Sequence, residues 1–310
     1  MKTKIGIIGA GNVGATTAHL ALVKDMGDIY LLDIAADMAK GKAIDLNQSK
    51  FLFGSDARIE GGNDFSKILE SDIIVITAGL ARKPGMTRDD LLFKNFKIIR
   101  DISLKIKESK KNPVVIVVSN PLDVMAYTVF KVTGFPRNRV IGMAGVLDTY
   151  RFYHFIQNRL EVPYRYMESM ILGSHGDTMV PVLSQTMVAG KPLDAKVTPS
   201  EAHELADMAR NGGAEIVSLL KTGSAYYAPA ASVVRMMESI LLNRKGILPC
   251  SVYADGEYGY RDIFIGLPIT LGESGVDKIS TIKLTEGEKN SLDASAKSIK
   301  EQIDKIKDKI

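Results

Sequence analysis

Two short stretches carry residues that could act together on a carbonyl. In GSHGDTMVP, His175 sits between Ser174 and Gly176, just past an apolar run. In GVLDTYRF, Asp148 and Arg151 are three residues apart in a helical pattern and so share one face. An imidazole near neutral pH can give a proton to a carbonyl oxygen as a hydride reaches the carbon. A buried carboxylate such as Asp148 would orient that imidazole and favour its protonated form. A guanidinium such as Arg151 can grip a substrate carboxylate through two parallel hydrogen bonds. A second cation must polarise the carbonyl, and TAGLARKPGMTR (residues 77–88) offers Arg88, preceded by Arg82. Taken singly, each feature has a plainer reading: His175 as a polar loop residue, Asp148 with Arg151 as an exposed helical ion pair, residues 77–88 as a surface turn. Their joint occurrence favours the chemistry. His19, His154 and His203 fall within helical patterns and receive no role.

Hydride transfer also needs a carrier. KIGIIGAGNVGATTAHLAL joins a strand to Gly9-Ala10-Gly11-Asn12-Val13-Gly14 and then to a helical pattern. A lone glycine triplet is weak, but strand before and helix after is the context of a dinucleotide cradle. Gly9 would permit the tight turn, Gly11 would let the backbone approach a pyrophosphate, and Gly14 would let the helix pack close to the strand. The helix N-terminus then offers N–H groups and the positive end of its dipole to the phosphates. The next strand, IYLLDI, ends in Asp33, whose carboxylate can accept both ribose hydroxyls and would repel a 2′-phosphate. That points to NAD; NADP specificity would predict a basic residue in place of Asp33-Ile34-Ala35.

These groups need a scaffold, and the first half reads as one. Strand candidates Lys4–Ile8, Ile29–Asp33, Ala57–Glu60, Asp72–Ala78, Pro113–Ser119 and Val140–Gly142 alternate with helical segments, the longest being Arg88–Ser109. Strands rich in Ile and Val, alternating with helices, predict a doubly wound parallel sheet of Rossmann type, an α/β fold. The second half predicts an α+β substrate domain: a helix at Asp148–Leu160, a strand at Met167–Leu172, short strands near Val180–Val188, helices at Pro199–Thr222 and Tyr227–Leu242, and strands near Cys250–Tyr253 and Ile263–Leu271. The boundary is placed near Gly145, giving a nucleotide-binding domain over 1–145 and a catalytic domain over 146–310. The last segment, Thr285–Ile310, predicts an amphipathic helix with Leu292, Ala296, Ile299, Ile303, Ile306 and Ile310 on one seam, and Thr285 with Glu288 as a capping box. Docking on its own domain is the simpler fate for that seam; packing on another subunit is the other.

Composition agrees. With 310 residues, 45% apolar, the chain can bury one large core or two medium ones, and disorder is not expected. Lys+Arg is 40 against Asp+Glu 36, a small net charge of +4 with the signs interspersed, so nucleic acid is not the expected partner. A lone Cys250 excludes an intramolecular disulfide and suits a reducing cytoplasm; its apolar surroundings read as core. No secretory leader, no apolar run of about 20 residues, no repeat and no metal-ligand spacing is seen, so neither a membrane nor a metal is expected.

Taken in order, GAGNVG, LLD, TAGLARKPGMTR, VVSNPLD, GMAGVLDTYRF and GSHGDTMVP make the chain resemble the lactate/malate dehydrogenase superfamily over essentially its full length. The resemblance implies an NAD-dependent oxidoreductase with His175 as general acid/base paired to Asp148 and Arg151 on the C1 carboxylate. It implies Arg88 on a mobile loop that stabilises the developing alkoxide, Asn120 touching both substrate and nicotinamide ribose, and Asn95 contacting the cofactor. Val118 and Ser119 would join Asn120 along the cofactor. At the position of Arg82 the lactate enzymes usually carry Gln. A guanidinium there would pair with the second carboxylate of malate or oxaloacetate. Facing pyruvate's methyl group, it would be left buried and unpaired at a cost on the order of 2–5 kcal/mol. The chain therefore resembles the malate-specific, lactate-dehydrogenase-like branch. KTGSAYYAPAAS and LPCSVYADGEYG are similar to that branch too, with small residues at Ser224 and Ala225 leaving room for the larger substrate. A homo-oligomer is implied, a tetramer first and a dimer second. Two rivals remain: an L-lactate or broader 2-hydroxy-acid dehydrogenase, and a non-catalytic NAD(H)-binding sensor, since fold alone does not fix function.

Overall fold

The computed structural model describes residues 2–80 and 85–310. Six strands, β1 (Lys4–Ile8), β2 (Asp28–Leu32), β3 (Ile59–Gly62), β4 (Ile73–Ile76), β5 (Val114–Val117) and β6 (Val140–Gly142), form a parallel sheet in the order β3-β2-β1-β4-β5-β6. Every residue of β4 (IIVI) and β5 (VVIV) is buried, because helices cover both faces. The helices are α1 (Asn12–Val23), α2 (Ala36–Ser49), the single turn α3 (Ser66–Leu69), α4 (Arg88–Ile106) and α5 (Leu122–Thr133). The strand order reverses between β1, which pairs Ile5 with Ile29 on one side, and β4, which pairs Ile73 with Ile5 on the other. A crevice opens beyond the carboxyl ends of the strands at such a reversal.

The sheet does not stop at β6. The second half contributes α6 (Gly145–Leu160), β7 (Met167–Glu168), β8 (Ile171–Gly173), β9 (Met179–Pro181), β10 (Met187–Val188), β11 (Lys191–Pro192), α7 (Pro199–Leu220), α8 (Tyr227–Leu241), β12 (Ile247–Asp255), β13 (Arg261–Gly272), β14 (Gly275–Ile279) and α9 (Glu286–Asp304). Strand β12 pairs antiparallel with β6 through Ser251 and Gly142, and the order continues β12-β13-β8-β9, with β14 on β13. Glycines make these joins possible: a Cβ at Gly142 would meet Ser251 Cβ at 2.8 Å, and one at Gly266 would meet Gly173 O at 2.4 Å. One sheet of 11 strands thus runs through both halves, and a small sheet, β11-β10-β7, lies apart.

Most element boundaries shift by a few residues from the sequence reading, and three of the differences are structurally informative. The segment Met167–Leu172 is two strands in different sheets, because Ser169 leaves the ladder: its N–H goes to Tyr153 Oη and its hydroxyl to Thr186 Oγ1. Helix α6 begins at Gly145, three residues before Asp148. That end is buried against Ile171 O and Pro249, so no polar cap marks it in the sequence. The last helix ends at Asp304, followed by a short turn at Lys307–Lys309. Its capping box, Thr285 with Glu288, is present, and Leu292, Ala296, Ile299 and Ile303 are buried against the chain's own core, with Ile306 beyond them. No helix among the described residues is long and apolar enough to cross a membrane.

Candidate active site

The glycine-rich turn sits at the crevice. Gly9 has φ +109°, and a Cβ there would meet Thr77 Oγ1 at 2.7 Å. At Gly14 a Cβ would land 1.9 Å from Gly9 O, so the first turn of α1 lies hard against the strand end. Gly11 faces open space, with nothing within 4 Å of a Cβ. No side chain caps α1 and its first turn holds no acid, so the end formed by Gly11, Asn12 and Val13 suits an anion. The Asp33 carboxylate is fixed beside this turn, Oδ2 accepting Ala10 N–H at 2.7 Å and Oδ1 accepting Ala35 N–H at 2.9 Å. Lys42 on α2 donates to Ala10 O at 2.6 Å, a tie between helix and turn that sequence reasoning missed. An open backbone, an uncapped helix end and an adjacent carboxylate fit a dinucleotide without a 2′-phosphate.

The loops after β4 and β5 close the crevice floor. Val118 N–H donates to Ile76 O at 2.9 Å and the Ser119 hydroxyl to Ala78 O at 2.5 Å. Buried Asn95 on α4 braces both loops: its Oδ1 accepts Leu80 N–H at 2.8 Å, and its Nδ2 donates to Leu80 O at 3.1 Å and Asn120 O at 2.6 Å. Both Nδ2 hydrogens and one acceptor position of Oδ1 are thereby engaged by main chain. Arg82 falls in 81–84, outside the described residues. Arg88 opens α4 after the capping Thr87, and its guanidinium meets Asp177 at 2.6 Å. Both side chains of that pair are more than 70% exposed, at 78% and 72%, so it is worth little and is easily exchanged.

Helix α6 and the β8–β9 loop bring the reactive groups together. Asp148 is 1% exposed, and its Oδ2 lies 2.9 Å from His175 Nδ1. Its other oxygen has no hydrogen-bond partner among the described residues and lies 3.5 Å from Arg151, one turn further along the helix. Burial works against the imidazolium of His175, but the Asp148 carboxylate outweighs it by charge and hydrogen bond, with Arg151 opposing and Asp123 assisting; the net shift is upward. Arg151 is mostly buried, which lowers its proton affinity while Asp148 raises it. Gly213 on α7 lies beside the guanidinium, where a Cβ would sit 3.4 Å from Nη1, at ordinary contact distance. A second buried carboxylate, Asp123, contacts the His175 main chain and was not singled out from the sequence. Its signal was present only as the last residue of VVSNPLD.

Comparison with known proteins agrees in both halves. The family profile for the lactate/malate dehydrogenase NAD binding domain matches residues 3–142, and that for the lactate/malate dehydrogenase alpha/beta C-terminal domain matches 145–310. The malate dehydrogenase of Rhodopirellula baltica is 47% identical over 304 residues, 97% of this chain and 96% of its own length. The crystal structure of Cryptosporidium parvum malate dehydrogenase superposes with a TM-score of 0.96 at 40% identity, covering 99% of this chain and 100% of that one. The lactate dehydrogenase of Cryptosporidium parvum, solved with lactic acid and nicotinamide adenine dinucleotide, gives 0.96 at 36% identity over 99% and 98% of the two chains. With two profiles covering the two halves in order, the chain belongs to the lactate/malate dehydrogenase family.

Proposed function

We propose that this chain is an NAD-dependent malate dehydrogenase, interconverting (S)-malate and oxaloacetate. The observation that carries the reading is the His175–Asp148 pair, its carboxylate buried, with the Arg151 guanidinium one helical turn away. Bound NAD would supply the hydride acceptor, and in its reduced form the hydride donor, for C2 of the substrate. The chain's own residues handle the rest. With Nδ1 taken by Asp148 and no hydrogen bond to Nε2 among the described residues, His175 can use Nε2 to receive the hydroxyl proton during oxidation and to return it during reduction. Asp148 holds the ring and stabilises the imidazolium. Arg151 makes no hydrogen bond among the described residues, so its fork is ready for a substrate carboxylate. Arg88 exchanges Asp177 for the developing alkoxide. Arg82 pairs with the second carboxylate.

Gly9, Ala10, Gly11, Asn12, Val13 and Gly14 would hold the pyrophosphate and Asp33 the adenosine ribose. Val118, Ser119 and Asn120 would line the nicotinamide side, with Asn95 bracing their segment and contacting the cofactor. The division of labour is a nucleotide half over 1–145 and a catalytic half over 146–310. The relatives named above as malate dehydrogenases support the substrate assignment. The lactate reading stays in play because a lactate dehydrogenase superposes equally well; Arg82 is what argues against it. Exposed Phe51, Leu52 and Phe53, after α2, support a homo-oligomer; the order of tetramer before dimer follows from the family resemblance alone. The buried, lone Cys250, its thiol pushed up by burial, suits a reducing cytoplasm.

The test is the initial rate of NADH oxidation with oxaloacetate and with pyruvate at matched concentrations. A strong oxaloacetate preference is expected. A pyruvate preference keeps the dyad and overturns Arg82 as discriminator. Intact NADH binding with neither substrate turned over brings the sensor reading forward.

A further inference from the structure

Asp123 is the second carboxylate beside His175. It follows Leu122 at the start of α5 and is 5% exposed. Its Oδ1 accepts the Ser251 hydroxyl of β12 at 2.6 Å, and its Oδ2 accepts the main-chain N–H of His175 at 3.3 Å. Three segments therefore meet on one side chain: the β5–α5 connection that carries Asn120, the strand that joins the two halves of the sheet, and the loop that carries His175. The neighbouring Ser174 is fastened to α9, its N–H donating to Ser295 Oγ at 2.8 Å, and its hydroxyl shares a hydrogen bond with Thr178 at 2.8 Å. Asp148 governs the imidazole ring, whereas Asp123 governs the backbone from which the ring projects.

We propose that Asp123 is a positioning residue for proton transfer, fixing the main chain of His175 against the Asn120 segment and adding a second negative charge that supports the imidazolium. The inference rests on His175 being the proton donor and acceptor. A structural role alone would be met by any buried polar side chain that accepts two hydrogen bonds. A carboxylate at this place does more, because its charge is felt by the ring. The groups facing it are His175 from the β8–β9 loop, Asp148 from α6 and Ser251 from β12, with Arg151 behind Asp148. Burial pushes Asp123 up to about 6, against the Ser251 hydrogen bond and the charge and N–H of His175, with Asp148 pushing the same way as burial. At neutral pH the carboxylate is ionised, and its charge favours protonation of His175.

Two variants separate geometry from charge. Asp123→Asn keeps the shape and an acceptor for the His175 N–H but loses the charge. Asp123→Ala loses both. For each, kcat, KM and the pH profile would be measured in both directions, with NADH affinity from its fluorescence. His175 itself would be titrated by NMR through its ring protons. Asp123→Ala is expected to lower kcat about 100-fold, the size of loss that follows from a misplacement of about 1 Å, with NADH affinity kept. Asp123→Asn should recover most of that kcat while moving the His175 midpoint to lower pH. A kcat within about threefold of the original in Asp123→Ala would overturn the positioning role. A His175 titration that superimposes on that of the unaltered chain in Asp123→Asn would overturn the charge role. Should Asp123→Ala not fold, Ser251→Ala loosens the same carboxylate, and an unchanged kcat and His175 midpoint there would count against the proposal. The rate of the unaltered enzyme with oxaloacetate reports separately on the activity, and the NMR titration decides the Asp123 charge role without turnover.

Discussion

Arg151→Met removes the guanidinium while keeping a long apolar stem in the space opposite Gly213. Two consequences can be sized. The first is the loss of two charge-assisted hydrogen bonds to the substrate carboxylate, each worth about 1.5–3 kcal/mol. Together that is about 3–6 kcal/mol, or roughly 10²- to 10⁴-fold in kcat/KM at about 1.4 kcal/mol per decade. Arg151→Lys, which keeps the charge but not the fork, should fall between. The second consequence concerns protons. Arg151 lies 3.5 Å from Asp148, and its charge opposes the imidazolium of His175. Reduction needs protonated His175 and so declines as pH rises through that group's midpoint; oxidation needs the neutral ring and rises through the same midpoint. Without the guanidinium the midpoint moves upward, so both limbs should shift to higher pH. Steady-state rates with oxaloacetate and malate across a pH series, with NADH affinity measured separately, test both parts. A loss of less than about tenfold in kcat/KM with NADH affinity intact would show that another group takes the carboxylate. A midpoint that stays put or moves down would refute the electrostatic reasoning.

His175→Asn should keep NADH affinity and lose turnover by at least about 100-fold, the contribution expected of a positioned acid/base; comparing NADH titration with rate decides it. Arg82→Gln should weaken oxaloacetate and raise pyruvate reduction, and a variant that kept its full oxaloacetate preference would remove Arg82 as discriminator. Gly14→Ala would drive a Cβ to 1.9 Å from Gly9 O; a stability loss of about 1–3 kcal/mol in urea unfolding, with weaker NADH binding, is expected. Asp123 has a folded pKa raised from 3.8 to about 6, so its neutral form is the one favoured by folding. That contribution is full below about 4 and lost as pH rises through about 6. Relative to the original chain, Asp123→Asn should therefore gain on the order of 3 kcal/mol between those limits in denaturant melts.

The nucleotide half was legible because its chemistry is local. At Gly9 and Gly14 a Cβ would collide with Thr77 and with Gly9 O, Gly11 leaves open space, and Asp33 directly follows the very next strand. Strand identity in β1, β4, β5 and β6 followed from apolar runs that only a sheet covered on both faces can bury. The second half was less legible where geometry depends on distant partners. Asp148 looked like a helix start, whereas the helix begins earlier on a buried, uncapped end and Asp148 turns to His175. The break at Ser169 comes from hydrogen bonds to Tyr153 and Thr186, which no local pattern encodes. Asp123 was invisible for the same reason: its partner is a main-chain N–H 52 residues away, which every residue but proline possesses. The pairing of Arg88 with Asp177 spans 89 residues and leaves no periodic trace.

The unbroken sheet has a thermodynamic corollary. Because β6 and β12 are hydrogen-bonded neighbours, the nucleotide half cannot melt without exposing the edge of the catalytic half. The chain should then unfold as one cooperative unit, with a single calorimetric peak despite its two-part profile match. Dinucleotide at 100 times its dissociation constant adds about 2.7 kcal/mol to whatever unfolds with its site. Here that is the whole chain, so the dinucleotide should shift the single unfolding transition as one, catalytic half included.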